Sequence, residues 1–500
     1  MFPAVLRVSC LFGLLLLPLL GLAGYVSSDT RVPEPRREFR GAWIATVHNI
    51  DWPSKPGLSP GQQRAELIAQ LDLAASVGLN GIILQVRTEC DALYRSKIEP
   101  WSYWLSGQMG VGPSDGYDPL EFAVTEAHRR GLELHAWFNP FRASATATSV
   151  KSAQHLTKTH PSLILASGSM KWGNPGSDFI RSRAIEVMVD VARRYDVDAV
   201  HIDDYFYPYP KTVGGKVYDQ FDDSATYTAY RAKGGKLDVR DWRRSQIDDF
   251  VSKLYAAIKA TKPSVKVGIS PFGIWRPGEP AAIKAGLDAY DHIFADSRKW
   301  LQQGWLDYFS PQLYWSIDPP AQSFPVLNEW WVSQNVKKRH VWPGIASSRI
   351  LSSDDKNRPA SEMTRQIDIT RQVCSPSGPG HLHWSMAALR EDRGGLRSKL
   401  KVSYAEGAIP PASPWLGSTP PGPVYVAPAE IGGGLQLSFK PAPDVRWRVI
   451  QVRSGKTWST LRLVPGGENT YRLPNLPEEV AIRSVGATGM LSQPTVLRRQ

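Results

Sequence analysis

Cysteine is scarce in this sequence, with three in 500 residues. No two of them have the spacing of a zinc-binding pair or of a redox Cys-x-x-Cys motif. Cys90 and Cys374 follow the N-terminal segment, and the sequence leaves open whether they pair or remain free or buried thiols. Cysteine-built zinc sites and thioredoxin-like chemistry are therefore excluded, and we predict neither a metal nor a cofactor.

Long apolar runs are also absent after residue 22. The run 11–22 is almost purely apolar, Arg7 is the only charged residue before it, and Gly21 and Ala23 have the spacing that signal peptidase recognises. No later segment approaches the roughly 18 apolar residues of a membrane-spanning helix. We therefore predict a signal peptide at 1–23 and export to the periplasm or cell envelope, with membrane contact only through an uncleaved signal.

Nucleic-acid motifs and long basic runs are lacking, although the formal net charge is +12. The basic residues are scattered along the chain, so no nucleic-acid partner is expected. The charge suits either binding to anionic wall polymers or simple solubility, and both alternatives stay open. A hydrophobic fraction of 42% and a charged fraction of 21% are typical of a globular protein, and the length suggests two or three domains.

What is present is a repeated alternation of strand and helix patterns after a leader at 24–37. Helical spacing of apolar residues predicts helices at 62–78, 118–131 and 241–263. Eight strands alternating with helices predict an α/β fold of the TIM-barrel type, (β/α)₈, over 38–404, with its surplus length in loops after the strands. The eight candidate strands are 39–47, 80–86, 132–138, 198–203, 266–272, 307–315, 340–346 and 380–386.

The composition changes after residue 404. Residues 405–423 are rich in proline, glycine and serine, which is typical of a linker. Residues 424–500 alternate apolar and polar positions at period two, which predicts a small β-sandwich similar to a fibronectin type III module. The linker favours a first domain that folds without this tail.

Polar residues share one parity along five of the candidate strands, where alternate side chains face the barrel interior and the outer helices. In strand 198–203, for example, His201 and Asp203 alternate with Val200 and Ile202. Active sites of such barrels lie at the carboxyl ends of the strands, so we expect the polar set to face inward there. Its members are Gln85, Arg87, Glu89, His135, Trp137, Asn139, His201, Asp203, Gln312, Tyr314, His381 and His383.

Carboxylates at these strand ends are few, and glycoside hydrolysis needs two of them. We predict Asp203 or Asp204 as nucleophile or charge stabiliser and Glu89 as acid/base. Adjacent residues of a strand face opposite ways, so Asp203 and Asp204 should differ in role. Asp51 and Asp91 also follow strands, where a carboxylate either caps a loop or contacts substrate.

Aromatic and hydrogen-bonding side chains near the same strand ends favour a sugar ligand, because rings stack on the apolar faces of sugars. The sequence has 18 tryptophans, a high number for its length. The residues predicted to bind substrate are Arg87, Asp91, His135, Asn139, Arg142, His201, Tyr205, Gln312, Tyr314, Trp315 and His383.

Several of these segments resemble the glycosyl-hydrolase-like barrel family of bacterial envelope proteins. The motifs are FRGAWIATVHNIDWP, ILQVRTECDALYRSKIEPWS, HAWFNPFR, HIDDYFYPYP, ADSRKWL with SPQLYW, and WPGIA. The resemblance covers about 38–404, and the family includes a divisome-associated hydrolase of peptide-stripped peptidoglycan strands. It implies cleavage of β-1,4 bonds between amino sugars, with the family's acids at Glu89, Asp91, Asp203 and Asp204, and it suggests cell-division or envelope proteins as partners.

Two other functions are compatible with the same residues. A metal-dependent carbohydrate deacetylase would use nitrogen and oxygen ligands from separate strands. A non-catalytic protein would bind wall glycan without cleaving it. The ligands of the deacetylase would be His48, Asp51, His135, His201, Asp203 and His383.

Overall fold

The computed structural model describes residues 24–146, 150–353, 355 and 358–500. The predicted signal peptide at 1–23 lies outside the described residues. Within them, no helix is both long enough and apolar enough to cross a membrane. Cys90 is buried and Cys374 is half-buried, and the two thiols are not bonded to each other.

A parallel sheet of nine strands forms the centre of the fold between residues 39 and 383. The strand Gly380–His383 pairs with Phe39–Ile44. The two ends of the sheet, His340–Val341 and Gly344–Ile345, are neighbouring segments of one stretch of chain, so the sheet curls until its ends meet. All eight predicted strands are present, the seventh as these two segments. The other strands are Gly81–Arg87, Glu133–Phe138, Ala199–Ile202, Lys266–Ile269 and Tyr308–Phe309.

A helix follows each predicted strand position, and local signals in the sequence mark where several of them begin. Asp118 accepts hydrogen bonds from the backbone N–H groups of Leu120 and Glu121, which caps the helix Pro119–Arg129. Ser59 and Gln62 form a reciprocal capping box at the first helix. The principal helices are Pro60–Ser76, Pro119–Arg129, Asp178–Arg194, Val239–Thr261, Ser297–Gln303, Phe324–Gln334, Ser361–Gln372 and Leu396–Ser403.

Long connections after the second, third and fourth strands carry short elements of their own. These connections lie at the carboxyl ends of the strands, where a parallel α/β sheet presents its site. They contain the helices Tyr103–Ser106, Leu156–Thr159 and Ser224–Ala232 and the strands Arg142–Ser144, Ile164–Ser167, Met170–Gly173, Lys211–Val213 and Lys216–Tyr218.

The C-terminal residues form two antiparallel sheets. One has three strands and the other has five. The five include Tyr25–Ser27 of the leader, which lies at the edge of the larger sheet and pairs with Thr495–Arg499. Two residues of the predicted linker, Ala408–Ile409, pair with Arg36–Arg37. The remaining strands are Val426–Ile431, Gly434–Phe439, Trp447–Ser454, Thr457–Pro465, Thr470–Leu473 and Glu479–Val485.

The C-terminal unit packs against the start of the strand Ala199–Ile202 and the helix Pro119–Arg129 through polar contacts of Arg446. Arg446 donates to Asp198 at 2.8 Å and also pairs with Asp196. Burial alone would raise the pKa of Asp198, but the charges of Arg446 and His128 hold that pKa well below its usual value. Ile409 of the linker also packs in one apolar cluster with residues of the C-terminal unit. The linker is therefore part of a docked arrangement.

We expect Arg446→Ala to lower the free energy of unfolding by about 3 kcal/mol at pH 7, because it leaves the buried carboxylate of Asp198 without its guanidinium partner. Arg499→Ala removes an exposed pair with Glu430 and should cost less than about 1 kcal/mol. Urea unfolding of both variants measures the difference. Equal losses in the two variants would show that the Arg446 contact does not stabilise the docked unit.

Candidate active site

A cavity of about 530 Å³ opens at the carboxyl ends of the parallel strands. Its walls come from strands and loops that are far apart in sequence. Seven of the predicted site residues line it: Asn139, Arg142, Asp203, Asp204, Tyr205, Gln312 and Tyr314. The other lining residues are Trp43, Val47, His48, Ile50, Gln85, Trp137, Ala145, Met170, Tyr209, Ser270, Phe272 and Trp384.

Asp203 and Asp204 place two carboxyl groups in this cavity. The Oδ2 atom of Asp203 accepts hydrogen bonds from the indole N–H of Trp137 at 3.0 Å and from the side-chain amide of Asn139. Asp204 accepts a hydrogen bond from the hydroxyl of Tyr209. Both aspartates are buried, so their charges depend on these few partners.

Burial raises the pKa of both carboxyl groups, because water solvates a charge better than the protein interior does. It raises the pKa of Asp203 to about 7, and the neighbouring charge of Asp204 adds to the effect. Burial also raises the pKa of Asp204, while the hydroxyl of Tyr209 opposes the rise. A proton is therefore available on this pair near neutral pH.

The expectation that Asp203 and Asp204 face opposite ways is wrong. The strand ends at Ile202, so the alternation of an extended strand does not continue through the two aspartates. Both side chains consequently reach the same cavity.

Arg142, Tyr205 and Gln312 add to the polar side of the cavity. The guanidinium of Arg142 donates to the side-chain oxygen of Asn139 at 2.7 Å and lies 4.9 Å from the ring centre of Tyr205. Gln312 donates to the backbone oxygen of Ser270 at 2.9 Å. These contacts hold several hydrogen-bonding groups around the carboxyl pair.

Four aromatic side chains form a wall of the same cavity. Trp384 lies edge-on to Trp43 and to Trp137, with ring centres 5.9 Å apart in both pairs, and it stacks on Tyr314 at 6.4 Å. Trp43 and Trp384 are not among the site residues predicted from the sequence. The signal was available in strand parity, because Trp43 alternates with apolar residues that pack outward and Trp384 follows the inward-facing Leu382.

His48 also lines the cavity, although it was considered only as a metal ligand. It is exposed, and its backbone adopts the left-handed region with φ of 54°. Its ring lies 4.8 Å from that of Trp104. Burial of part of the ring, together with the charge of Arg142, lowers the pKa of His48.

His135 and His201 lie below the cavity, inside the curled sheet. His201 contacts the hydroxyl of Ser270 at 2.9 Å and that of Tyr308 at 2.8 Å. Tyr308 contacts His135 at 2.9 Å, and His135 contacts Glu133 at 3.0 Å. Both histidines face inward as predicted, yet they belong to a buried polar chain and do not line the cavity.

Glu89, Arg87 and Asp91 do not line the cavity either. Glu89 is fully buried, with its carboxylate paired to Lys151 at 2.7 Å and bonded to the backbone N–H of Ala145. Asp91 accepts from the backbone N–H groups of Thr88 and Glu89 at 2.9 and 2.7 Å and so caps its own loop.

Arg87 leaves the inward-facing set because the pairing of its strand shifts between Gln85 and Arg87. This irregularity changes the side chain's direction, and Arg87 pairs with the buried Glu99. The expectation from parity that Arg87 faces the barrel interior at the site is therefore wrong.

The expectation from parity that His383 faces the barrel interior is also wrong. Its neighbour Leu382 packs in the inner cluster, so His383 points outward and contacts Tyr404 at 3.0 Å and Ser347 at 2.8 Å. His381 likewise contacts Tyr404. Trp315 packs beside the cavity against Phe272, with ring centres 5.7 Å apart.

The ligands of the deacetylase alternative do not come together. Asp51 accepts hydrogen bonds from the N–H groups of Ala45 and Ala387, His135 lies deep in the sheet, and His383 points outward. Across the described ranges, no group of three or more histidine, cysteine, aspartate or glutamate side chains is placed to hold a metal ion.

Comparisons with known proteins agree with a carbohydrate-cleaving site. A family model described as glycosyl hydrolase-like 10 matches residues 38–361. Glycosyl hydrolase YngK of Bacillus subtilis (strain 168) is 40% identical over 419 residues, covering 82% of this chain and 80% of its own. Glycosyl hydrolase DigH of Escherichia coli (strain K12) is 34% identical over 368 residues, covering 68% of this chain and 81% of its own.

These matches define the chain as an enzyme of the glycosidase class. It belongs to the glycosyl hydrolase-like 10 family. Among solved structures, the glycoside hydrolase domain of PgaB (BpsB) from Bordetella bronchiseptica aligns with a TM-score of 0.49 at 11% identity, covering 75% of this chain and 100% of that domain.

We expect Asp203→Asn to change how stability depends on pH. The pKa of Asp203 is about 7 in the folded state and about 3.9 in an unfolded chain. The folded state therefore binds more protons between these values, and this carboxyl makes stability fall as pH rises from about 4 to about 7. The variant lacks that fall. Its free energy of unfolding relative to wild type should therefore increase by on the order of 2–4 kcal/mol between pH 5 and pH 7.5, and its melting temperature relative to wild type should increase with it.

Melting curves of both proteins across this pH range test the expectation. The exposed Asp318 provides the control, and Asp318→Asn should follow the wild-type profile at every pH. A constant offset between Asp203→Asn and wild type would contradict the raised pKa.

Proposed function

We propose that this chain is an exported glycosidase that cleaves β-1,4 bonds between amino sugars in peptidoglycan strands, chiefly strands without stem peptides. The observation that carries the proposal is the buried pair Asp203 and Asp204, which meets an aromatic wall in one cavity. Glycosidases need one protonated and one ionised carboxyl at the scissile bond. Aromatic rings facing that pair suit the apolar faces of a sugar.

In the proposed reaction Asp203 is the proton donor. Its pKa of about 7 leaves a large protonated fraction at neutral pH, which is what a general acid requires. The proton passes to the glycosidic oxygen as the bond to the anomeric carbon breaks. Asp204, ionised, stabilises the positive charge that develops on the sugar and either attacks that carbon or activates a water molecule.

The substrate assignment rests on several features together. The chain resembles envelope proteins that act on peptidoglycan, and its net charge of +12 suits an anionic wall polymer. Arg142 and Gln312 supply guanidinium and amide donors beside the carboxyl pair for hydroxyl and acetamido oxygens. The apolar N-terminal run supports export.

The proposal also includes a closed barrel for the first domain and a β-sandwich for the C-terminal unit. Eight strand positions each followed by a helix, in a sheet whose ends meet, support a closed (β/α)₈ barrel. Two packed antiparallel sheets between residues 426 and 499 support a sandwich of the fibronectin type III kind.

Asp203→Asn and Asp204→Asn should each reduce the cleavage rate of peptide-stripped glycan by at least about 100-fold, because each removes one carboxyl of the reacting pair. Release of reducing ends measures the rate. Unchanged glycan binding in both variants would separate lost chemistry from lost affinity. Full activity in both variants would remove the site assignment, and a wild type that binds but releases no product would favour the wall-binding alternative.

Glu89→Gln tests whether Glu89, the acid/base predicted from its position after a strand, takes part in the reaction. Its carboxylate is taken up by Lys151 and Ala145, so we expect less than about tenfold loss of rate, from a loosened loop alone. A loss as large as that of Asp203→Asn would mean that Glu89 reaches the substrate after a loop movement.

Mass spectrometry of products tests the substrate. Wild-type enzyme should release amino-sugar fragments from peptide-stripped glycan faster than from intact peptidoglycan, since a cavity of about 530 Å³ must hold the sugar rings and any stem peptide adds bulk. Chitin oligosaccharides, which share the β-1,4 linkage but lack the lactyl group, serve as the comparison. Preference for intact peptidoglycan would contradict the assignment.

A further inference from the structure

Two side-chain amides form a hydrogen-bonded chain from the loop after the first strand to Asp203. The oxygen of Gln85 accepts from the backbone N–H groups of Thr46 and Val47, both at 2.9 Å. The amide of Gln85 donates to the oxygen of Asn139, and the amide of Asn139 donates to Oδ2 of Asp203. Gln85 and Asn139 are fully buried, so water does not compete for these contacts.

The orientation of both side-chain amides follows from neighbouring groups that can donate a hydrogen bond but cannot accept one. A backbone N–H only donates, so the atom of Gln85 facing Thr46 and Val47 is its oxygen, and its NH₂ group faces Asn139. The atom of Asn139 that receives this NH₂ group must then be oxygen. Arg142 supports the same orientation, because a guanidinium only donates and its contact with that oxygen is 2.7 Å long.

The contacts at Asp203, where the hydrogen-bonded chain ends, are consistent with this orientation. The NH₂ group of Asn139 and the indole N–H of Trp137 both point at Oδ2 of Asp203. Two donors on one carboxylate oxygen favour its ionised form. They therefore oppose burial and the charge of Asp204, which favour the protonated form.

We propose that Gln85 is a positioning residue, which locks the amide of Asn139 with its N–H toward Asp203 and so sets the proton affinity of that carboxyl. The proposal deepens the proposed function and rests on it for its catalytic meaning. Gln85 fixes the orientation of a group that contacts Asp203. The groups that face Asp203 from the surrounding elements are Asp204, Arg142, Trp137, Asn139, Tyr205, Tyr209 and Tyr314.

Gln85→Met tests the lock, because methionine keeps the length of the side chain and lacks the amide. Without the donor from Gln85, Asn139 is held by Arg142 alone, and its N–H is less firmly directed at Asp203. The titration midpoint of Asp203 should rise by about one pH unit. Gln70→Met is the matched control, since Gln70 is also buried and donates to the backbone oxygen of Asp51, outside the chain.

The midpoint is measured from stability. For each protein, the melting temperature is followed with pH with and without Asp203→Asn, and the difference reports the titration that Asp203 contributes to its coupled pair with Asp204. Asn139→Leu removes the donor itself and should raise the midpoint at least as much. Adding Gln85→Met to Asn139→Leu should produce no further rise, because Gln85 acts through Asn139.

An unchanged midpoint in Gln85→Met, or a further rise when Gln85→Met is added to Asn139→Leu, would overturn the proposal. If Gln85→Met does not fold, Gln85→Glu keeps the acceptor for Thr46 and Val47 and replaces the donor. Its ionised carboxylate should also raise the midpoint, and no rise there would be equally decisive.

These outcomes are separate from those of the proposed function. If the alkaline limb of the pH profile of kcat/KM moves upward with the stability midpoint, both proposals are supported. A shifted midpoint in a protein that cleaves no glycan would leave the positioning role standing and overturn the glycosidase substrate assignment.

Discussion

The burial of two adjacent carboxyl groups is the constraint on which the rest of this site depends. Asp203 and Asp204 lie in a cavity where a charged group loses much of its solvation by water. Burial therefore raises the pKa of both carboxyl groups. They are tolerated because fixed donors from Trp137, Asn139 and Tyr209 reach them. The same balance between burial and donors leaves a transferable proton near neutral pH, which joins the stability of the site to its chemistry.

That balance requires residues from distant parts of the chain to meet, and the curled parallel sheet brings them together. Its strands all end on one side, so the residues after each carboxyl end converge there. Below the cavity, the polar chain from Ser270 through His201 and Tyr308 to His135 fills the interior with satisfied hydrogen bonds. The docked C-terminal unit contacts Asp198, at the start of the strand Ala199–Ile202, through Arg446, away from the cavity.

Much of the fold could be predicted from the sequence, because strand and helix periodicities are local. Parity also identified the inward direction of His201 and Asp203 and brought Asn139, Gln312 and Tyr314 to the site. It failed where a strand departs from regular pairing or where the inner residues are apolar. Examples are Arg87 after the pairing shift, His383 beside the inward Leu382, and Asp204 beyond the end of its strand.

The sequence by itself determined the order of strands and helices, the membership in a family of glycosidases, and the scarcity of carboxylates at the strand ends. Only the tertiary structure decided which of those carboxylates share a cavity. Glu89 is tied to Lys151, while Asp203 and Asp204 face an aromatic wall that includes Trp43 and Trp384. The physical reason is that periodicity specifies the direction of a side chain along its own strand, whereas burial and hydrogen-bond partners depend on loops distant in sequence.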